Sequence, residues 1–133
     1  MLIDFHTHST ASDGGLSPRD LVALARERKL ALLAITDHDT VAGYLAVAAE
    51  QDTQQPSGLQ LVAGVEFSCR WSATTIHILG LGMDCRHPAM VEALAWLESA
   101  RIERGKKIAQ RLEALGFAGA LEGALAESGD SQL

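Results

Sequence analysis

The sequence predicts an α/β fold, and three observations lead there. Short apolar runs suited to buried strands alternate with amphipathic or Ala-rich stretches suited to helices. Clusters of Gly, Pro, Ser and Asp separate them. The order strand, helix, strand, helix, strand is that of right-handed βαβ units around a parallel sheet.

Residues 2–5 are apolar enough for a buried first strand, and residues 7–16, rich in Ser, Thr, Asp and Gly, follow as a loop. A helix is announced by Ser17, which can cap it, by Pro18, which suits its first position, and by Asp20 near its positive end. Leu21, Leu24 and Ala25 give it an apolar stripe, and residues 26–29 place positive charge at its end. Residues 30–35 form a continuous apolar run, as in a strand covered on both faces. The polar turn Thr36-Asp37-His38-Asp39-Thr40 leads into an Ala-rich second helix over 41–51. After a break at 54–58, residues 59–65 and 74–81 are the third and fourth strand candidates. A helical pattern then runs over 88–115, with Leu94, Leu97, Ile108, Leu112 and Leu115 on one stripe and Gly116 as its stop.

A chain of 133 residues fits one compact domain, and 47% hydrophobic with 21% charged residues is a globular composition. No apolar run approaches the ~20 residues needed to span a bilayer, and the first residues lack the marks of a signal peptide. Cys69 and Cys85 are neither a CxxC pair nor a disulfide framework, so reduced thiols in a cytoplasmic protein are expected. The net charge of −6 argues against a broad basic surface for duplex DNA. A nucleotide or a short single strand remains compatible, because metal ions can supply positive charge locally.

In parallel α/β sheets the site lies beyond the C-terminal ends of the strands. His6 and His8 follow the first strand, His38 the second and Glu66 the third, while His77 lies in or near the end of the fourth. His6-Thr7-His8 points both imidazoles to one side of an extended chain, which alone is a weak signal. Asp13 adds a hard oxygen donor in a loop that Gly14 and Gly15 let fold back. His38 sits between Asp37 and Asp39, and such a carboxylate can accept the second ring N–H of a ligating histidine. Glu66 ends an apolar strand, where an unpaired carboxylate would be costly. Six N and O donors without a thiolate suit Mn²⁺, Zn²⁺ or Fe²⁺ and exceed what one tetrahedral ion needs. Two or three ions sharing a carboxylate would activate water near neutral pH and offset phosphoryl charge, which is the chemistry of phosphoester hydrolysis. His87, before Pro88, is read as a solvated helix start.

The motifs Asp4-Phe5-His6-Thr7-His8-Ser9, Ser12-Asp13-Gly14, Ile35-Thr36-Asp37-His38-Asp39-Thr40, Gly64-Val65-Glu66 and Ile76-His77-Ile78 resemble the first three motifs of the PHP (polymerase and histidinol phosphatase) superfamily. The resemblance covers most of residues 1–82. It is greatest to the small bacterial enzymes acting on RNA 5′ ends and 3′,5′-nucleoside bisphosphates. It implies the N-terminal part of a distorted (β/α)7 barrel over residues 1–87, followed by the start of a helical insertion over 88–133. It also implies manganese, zinc or iron, with manganese favoured. His6, His8 and Glu66 would share one ion, Glu66 would bridge to a second held by His77, and Asp13 with His38 would hold a third. Asp13 and His38 are thereby the catalytic candidates, Asp37 their supporting carboxylate, and Arg101 and Arg104 the contacts to substrate phosphate.

The family's later motifs, an Ala-His-Pro histidine and a closing Asp-x-His, have no counterpart here, and the polar residues 127–133 resemble a linker. Each ion would then lack at least one protein donor. A partial barrel with unpaired strand edges should associate with itself or with another polypeptide. Two further readings stay open at this point, a histidinol-phosphate-type phosphatase and a non-catalytic, metal-binding PHP fragment.

Overall fold

The computed structural model describes residues 1–51 and 58–128. Most of the expected break at 54–58 and the end of the linker-like segment, residues 129–133, lie outside them. The elements are β1 (Leu2–Thr7), α1 (Pro18–Glu27), β2 (Leu30–Ile35), α2 (Ala42–Gln51), β3 (Gln60–Trp71), β4 (Thr74–Leu81), α3 (Pro88–Ala114) and α4 (Ala120–Ser128). They build a curled α/β sheet, a half-barrel with strand order β1-β2-β3-β4.

Ser17 caps α1 by accepting from the Asp20 N–H at 3.2 Å, while its hydroxyl donates to the Asp20 carboxylate at 2.6 Å. The buried stripe of α1 is Val22 and Ala25, with Leu21 and Leu24 only half-buried, so the apolar face is turned slightly from the one expected. Val22, Ala25 and Val47 pack with Leu33, Ile35, Leu59 and Leu61, joining α1 and α2 to the central strands in one core. Only the C-terminal half of β2, Leu33 to Ile35, is fully covered.

The sheet departs from the parallel expectation at its far side. β1 pairs parallel with β2, and β2 with residues 60–63 of β3. β3 then continues past the expected end at residue 65 and turns back through Ser72 and Ala73 into an antiparallel β4. Ser72 takes the left-handed conformation in this two-residue turn (φ 55°). A Ser-Ala pair lacks the Asn-Gly signature of tight hairpins, so the reversal left little trace in the sequence. Among the described residues, β1 and β4 are the sheet edges.

The long helix α3 begins as expected at Pro88, with the His87 ring as cap accepting from Ala89 N–H. It ends at Ala114 with Leu115 as its C-cap, and Gly116 follows with φ 96°. Its covered row is Leu94, Leu97, Arg101, Gly105 and Ala109; Ile108, Leu112 and Leu115 are exposed instead. Helix α4, which packs on α3, was not anticipated. Among the described residues, no helix is long and apolar enough to cross a membrane.

Candidate metal centre

His6 lies near the end of β1, and His8 two residues later has just left the strand, so both rings reach the same side. The chain then folds back: the N–H groups of Ser12 and Gly14 both donate to the Ser9 carbonyl, at 3.0 and 2.9 Å. Gly14 is required here, because a Cβ would collide with the His8 carbonyl. This turn carries Asp13 to the His8 ring, where Asp13 Oδ1 stands 2.7 Å from Nδ1.

Asp37 holds the turn in place. Its Oδ1 accepts from the Ser9 N–H at 2.6 Å and the Ser12 hydroxyl at 2.8 Å, and its Oδ2 accepts from the Ser9 hydroxyl at 2.7 Å. All three side chains are buried, so this is a satisfied polar network. The expectation that Asp37 would orient an imidazole is therefore corrected, since its oxygens are taken by the serines. Ser9 and Ser12, unremarked as single hydroxyl residues, are what the sequence reading missed.

His38 follows β2 in a short parallel bridge to Glu66. Glu66 does not end β3 as expected but lies inside it, three residues past the last parallel pair of the strand with β2. His77 arrives differently. It pairs with Ser68 across the hairpin, which makes it a diagonal neighbour of Glu66 on the same face.

All six residues converge. Glu66 Oε2 is 2.9 Å from both His6 Nε2 and His8 Nε2, and Oε1 is 2.8 Å from His77 Nδ1. Asp13 Oδ2 lies 3.6 Å from His38 Nε2. The donors fall into three overlapping groups, His6–His8–Glu66, His8–Asp13–His38 and His38–Glu66–His77, with ligand atoms within 4.8 Å of one another in each. Burial works to raise the Glu66 carboxyl, but hydrogen bonds to His6 and His77 and the nearby His38 bring it below its ordinary value. Burial likewise opposes, and the His8 hydrogen bond with the His8 and His38 charges overcomes, in holding Asp13 low. His38 is held below the usual histidine value chiefly by burial, against the pull of Glu66 and Asp13, which favours the neutral imidazole that metals bind. Its buried Nδ1 has no hydrogen-bond partner, and the Glu66 carboxylate is 3.8 Å away. An orphaned, neutral ring nitrogen facing shared carboxylates fits a divalent cation.

Neither arginine joins the donor groups. Arg101 Nη2 donates to Asp39 Oδ2 at 2.6 Å, one residue from His38. Arg101 and the exposed Arg104 both line, with Ile108, Leu112 and Leu121, a cleft of about 180 Å³ between α3 and α4.

A half-barrel with four imidazoles and two carboxylates gathered on one rim defines a class of α/β metal-site domain. The chain belongs to the PHP domain family, whose model matches residues 4–116. It is 47% identical over 131 residues to the 5′-3′ exoribonuclease Rnm of Escherichia coli, covering 97% of this chain and 44% of that protein. It is 42% identical over 123 residues to a 3′,5′-nucleoside bisphosphate phosphatase of Chromobacterium violaceum, covering 92% and 42%. A solved amidohydrolase from Chromobacterium violaceum, with bound sulfate and no metal, superposes with TM-score 0.80 at 40% identity, over 95% of this chain and 43% of that one. The chain thus spans less than half the length of the relatives it matches.

Proposed function

We propose that the protein carrying this domain hydrolyses phosphoesters of nucleotides or of RNA 5′ ends, using divalent ions held by His6, His8, Asp13, His38, Glu66 and His77. The observation that carries this reading is the sharing of Glu66 between two donor groups beside a third. The names of the relatives, an exoribonuclease and a bisphosphate phosphatase, supply the substrate class. The mixed carboxylate and imidazole donors suit manganese, zinc or iron, and manganese is the ion we favour on the family resemblance. When bound, such ions lower the pKa of water and offset phosphoryl charge. The chain's own part is to hold the donors in register and in their ligating protonation states. Asp13, the most exposed of the six at 68%, is open to solvent and to substrate. Residues 88–133 would begin a helical insertion on a barrel half formed by residues 1–87, and the cytoplasm is the compartment we assign.

The test is a manganese-dependent assay on purified protein with 3′,5′-nucleoside bisphosphate, 5′-phosphorylated RNA and histidinol phosphate, each with and without chelator. Metal-dependent turnover of the first two is expected. Turnover of histidinol phosphate alone would replace the nucleotide reading. Bound metal without any turnover would leave the non-catalytic, metal-binding reading.

A further inference from the structure

We propose that Arg101 is a positioning residue of the metal centre: through Asp39 it locks the His38 loop against β3, instead of meeting substrate phosphate. This rests on reading the six residues as metal ligands. Arg101 stands on the covered row of α3, where a merely solvated charge would be out of place. Its guanidinium reaches Asp39, a residue only 5% exposed and held in the left-handed conformation (φ 56°). Both Asp39 oxygens are committed, Oδ2 to Arg101 at 2.6 Å and Oδ1 to the Ser68 N–H at 2.6 Å. The main chain closes the same seam, with Asp39 N–H donating to the Glu66 carbonyl at 3.0 Å and Glu66 N–H to the Asp37 carbonyl at 3.1 Å.

Two donors, His38 and Glu66, therefore sit opposite each other on a seam whose carboxylate is neutralised from α3. Without the guanidinium, Asp39 would be a buried anion left with the neutral donors of Ser68 and no counter-charge, and the loop would open to hydrate it. A guanidinium already paired with a buried carboxylate also offers little net charge to a phosphate.

The experiment uses the full-length protein with Arg101→Met, Arg101→Lys, Asp39→Asn and the Arg101→Met/Asp39→Asn double variant. Calorimetry measures Mn²⁺ binding without substrate, and then inorganic phosphate binding to the loaded protein. Loss of a supporting partner typically weakens a metal site by ~10–100-fold, and that loss is expected for Arg101→Met. Arg101→Lys should recover part of it, and the double variant should be no worse than the worse single one, because both break one contact. Unchanged Mn²⁺ affinity with weakened phosphate binding would overturn the proposal and restore a phosphate contact. If the wild type binds no divalent ion, the metal reading fails; hydrogen exchange of the metal-free protein then judges the clamp alone. Faster exchange at the Asp39 and Ser68 amides in Arg101→Lys or Asp39→Asn supports it, and unchanged exchange sinks it.

Discussion

Glu66 is the side chain on which the centre turns, because one carboxylate faces three imidazoles with two oxygens. Replacing it with Gln keeps the volume but removes the anion from two of the three donor groups. Its loss should weaken divalent binding by more than the ~10–100-fold typical of a lost supporting partner. Calorimetric titration with Mn²⁺ checks this, and near-native affinity in Glu66→Gln would exclude Glu66 as a ligand. His38→Ala should remove most phosphoesterase activity of the full-length protein without unfolding it, since His38 lies in a loop and not in the core. A folded His38→Ala variant with full manganese-dependent turnover would count against the assignment. Away from the centre, burial and then the Asp84 charge push the Cys85 thiol up. At neutral pH it should stay protonated and react with iodoacetamide more slowly than glutathione does, since the thiolate is the nucleophile. Asp84→Asn should speed that reaction; a Cys85 that outpaces glutathione would contradict the assigned environment.

The turn after β1 and the start of α2 are coupled as elements. Gly43, in the first turn of α2, leaves room for Asp37 and Ser9, and a Cβ at that position would run into Asp37 Oδ2 and the Ser9 hydroxyl. Gly43→Ala should therefore destabilise the fold by about 1–3 kcal/mol, the usual range for overpacking. It should do so despite alanine's better helix propensity, worth ~1 kcal/mol in the other direction. Urea denaturation decides between them, and a stabilised Gly43→Ala would show that the network is looser than drawn. These elements also mark where sequence reading succeeds and stops. The strand end before His38 and the Ser17-Pro18 helix start were legible because each rests on local chemistry, whereas β1 runs two residues past the expected end at Phe5 and takes in His6. The antiparallel β4 was not, since alternation looks alike in parallel and antiparallel strands and the Ser72-Ala73 turn is atypical. The partners of Asp37 were not legible, because which donors meet a buried carboxylate depends on how a loop folds back. Helix α4 lacks a proline or capping signal of the kind that announced α1.

For the whole molecule, six donors shared among three groups leave each ion few protein ligands, and β1 and β4 present open edges. Residues 1–133 expressed alone should bind divalent metal more weakly than the full-length protein, turn over little substrate, and self-associate through the edges. Sedimentation with a manganese-dependent assay checks both; a stable monomer working at ~1–10³ s⁻¹ would refute the expectation. The position of the centre has a mechanical side. In a flat sheet β1 and β4 would lie about 14 Å apart, three strand spacings of ~4.8 Å. Yet His6 from one edge and His77 from the other both lean onto the Glu66 carboxylate. The cluster thus acts as a drawstring across the concave side, and an ion that tightens it should hold the curvature of the sheet. Chelation should then loosen both margins together: amide exchange at β1 and β4, far apart in the chain, should rise in step while the β2 interior stays protected.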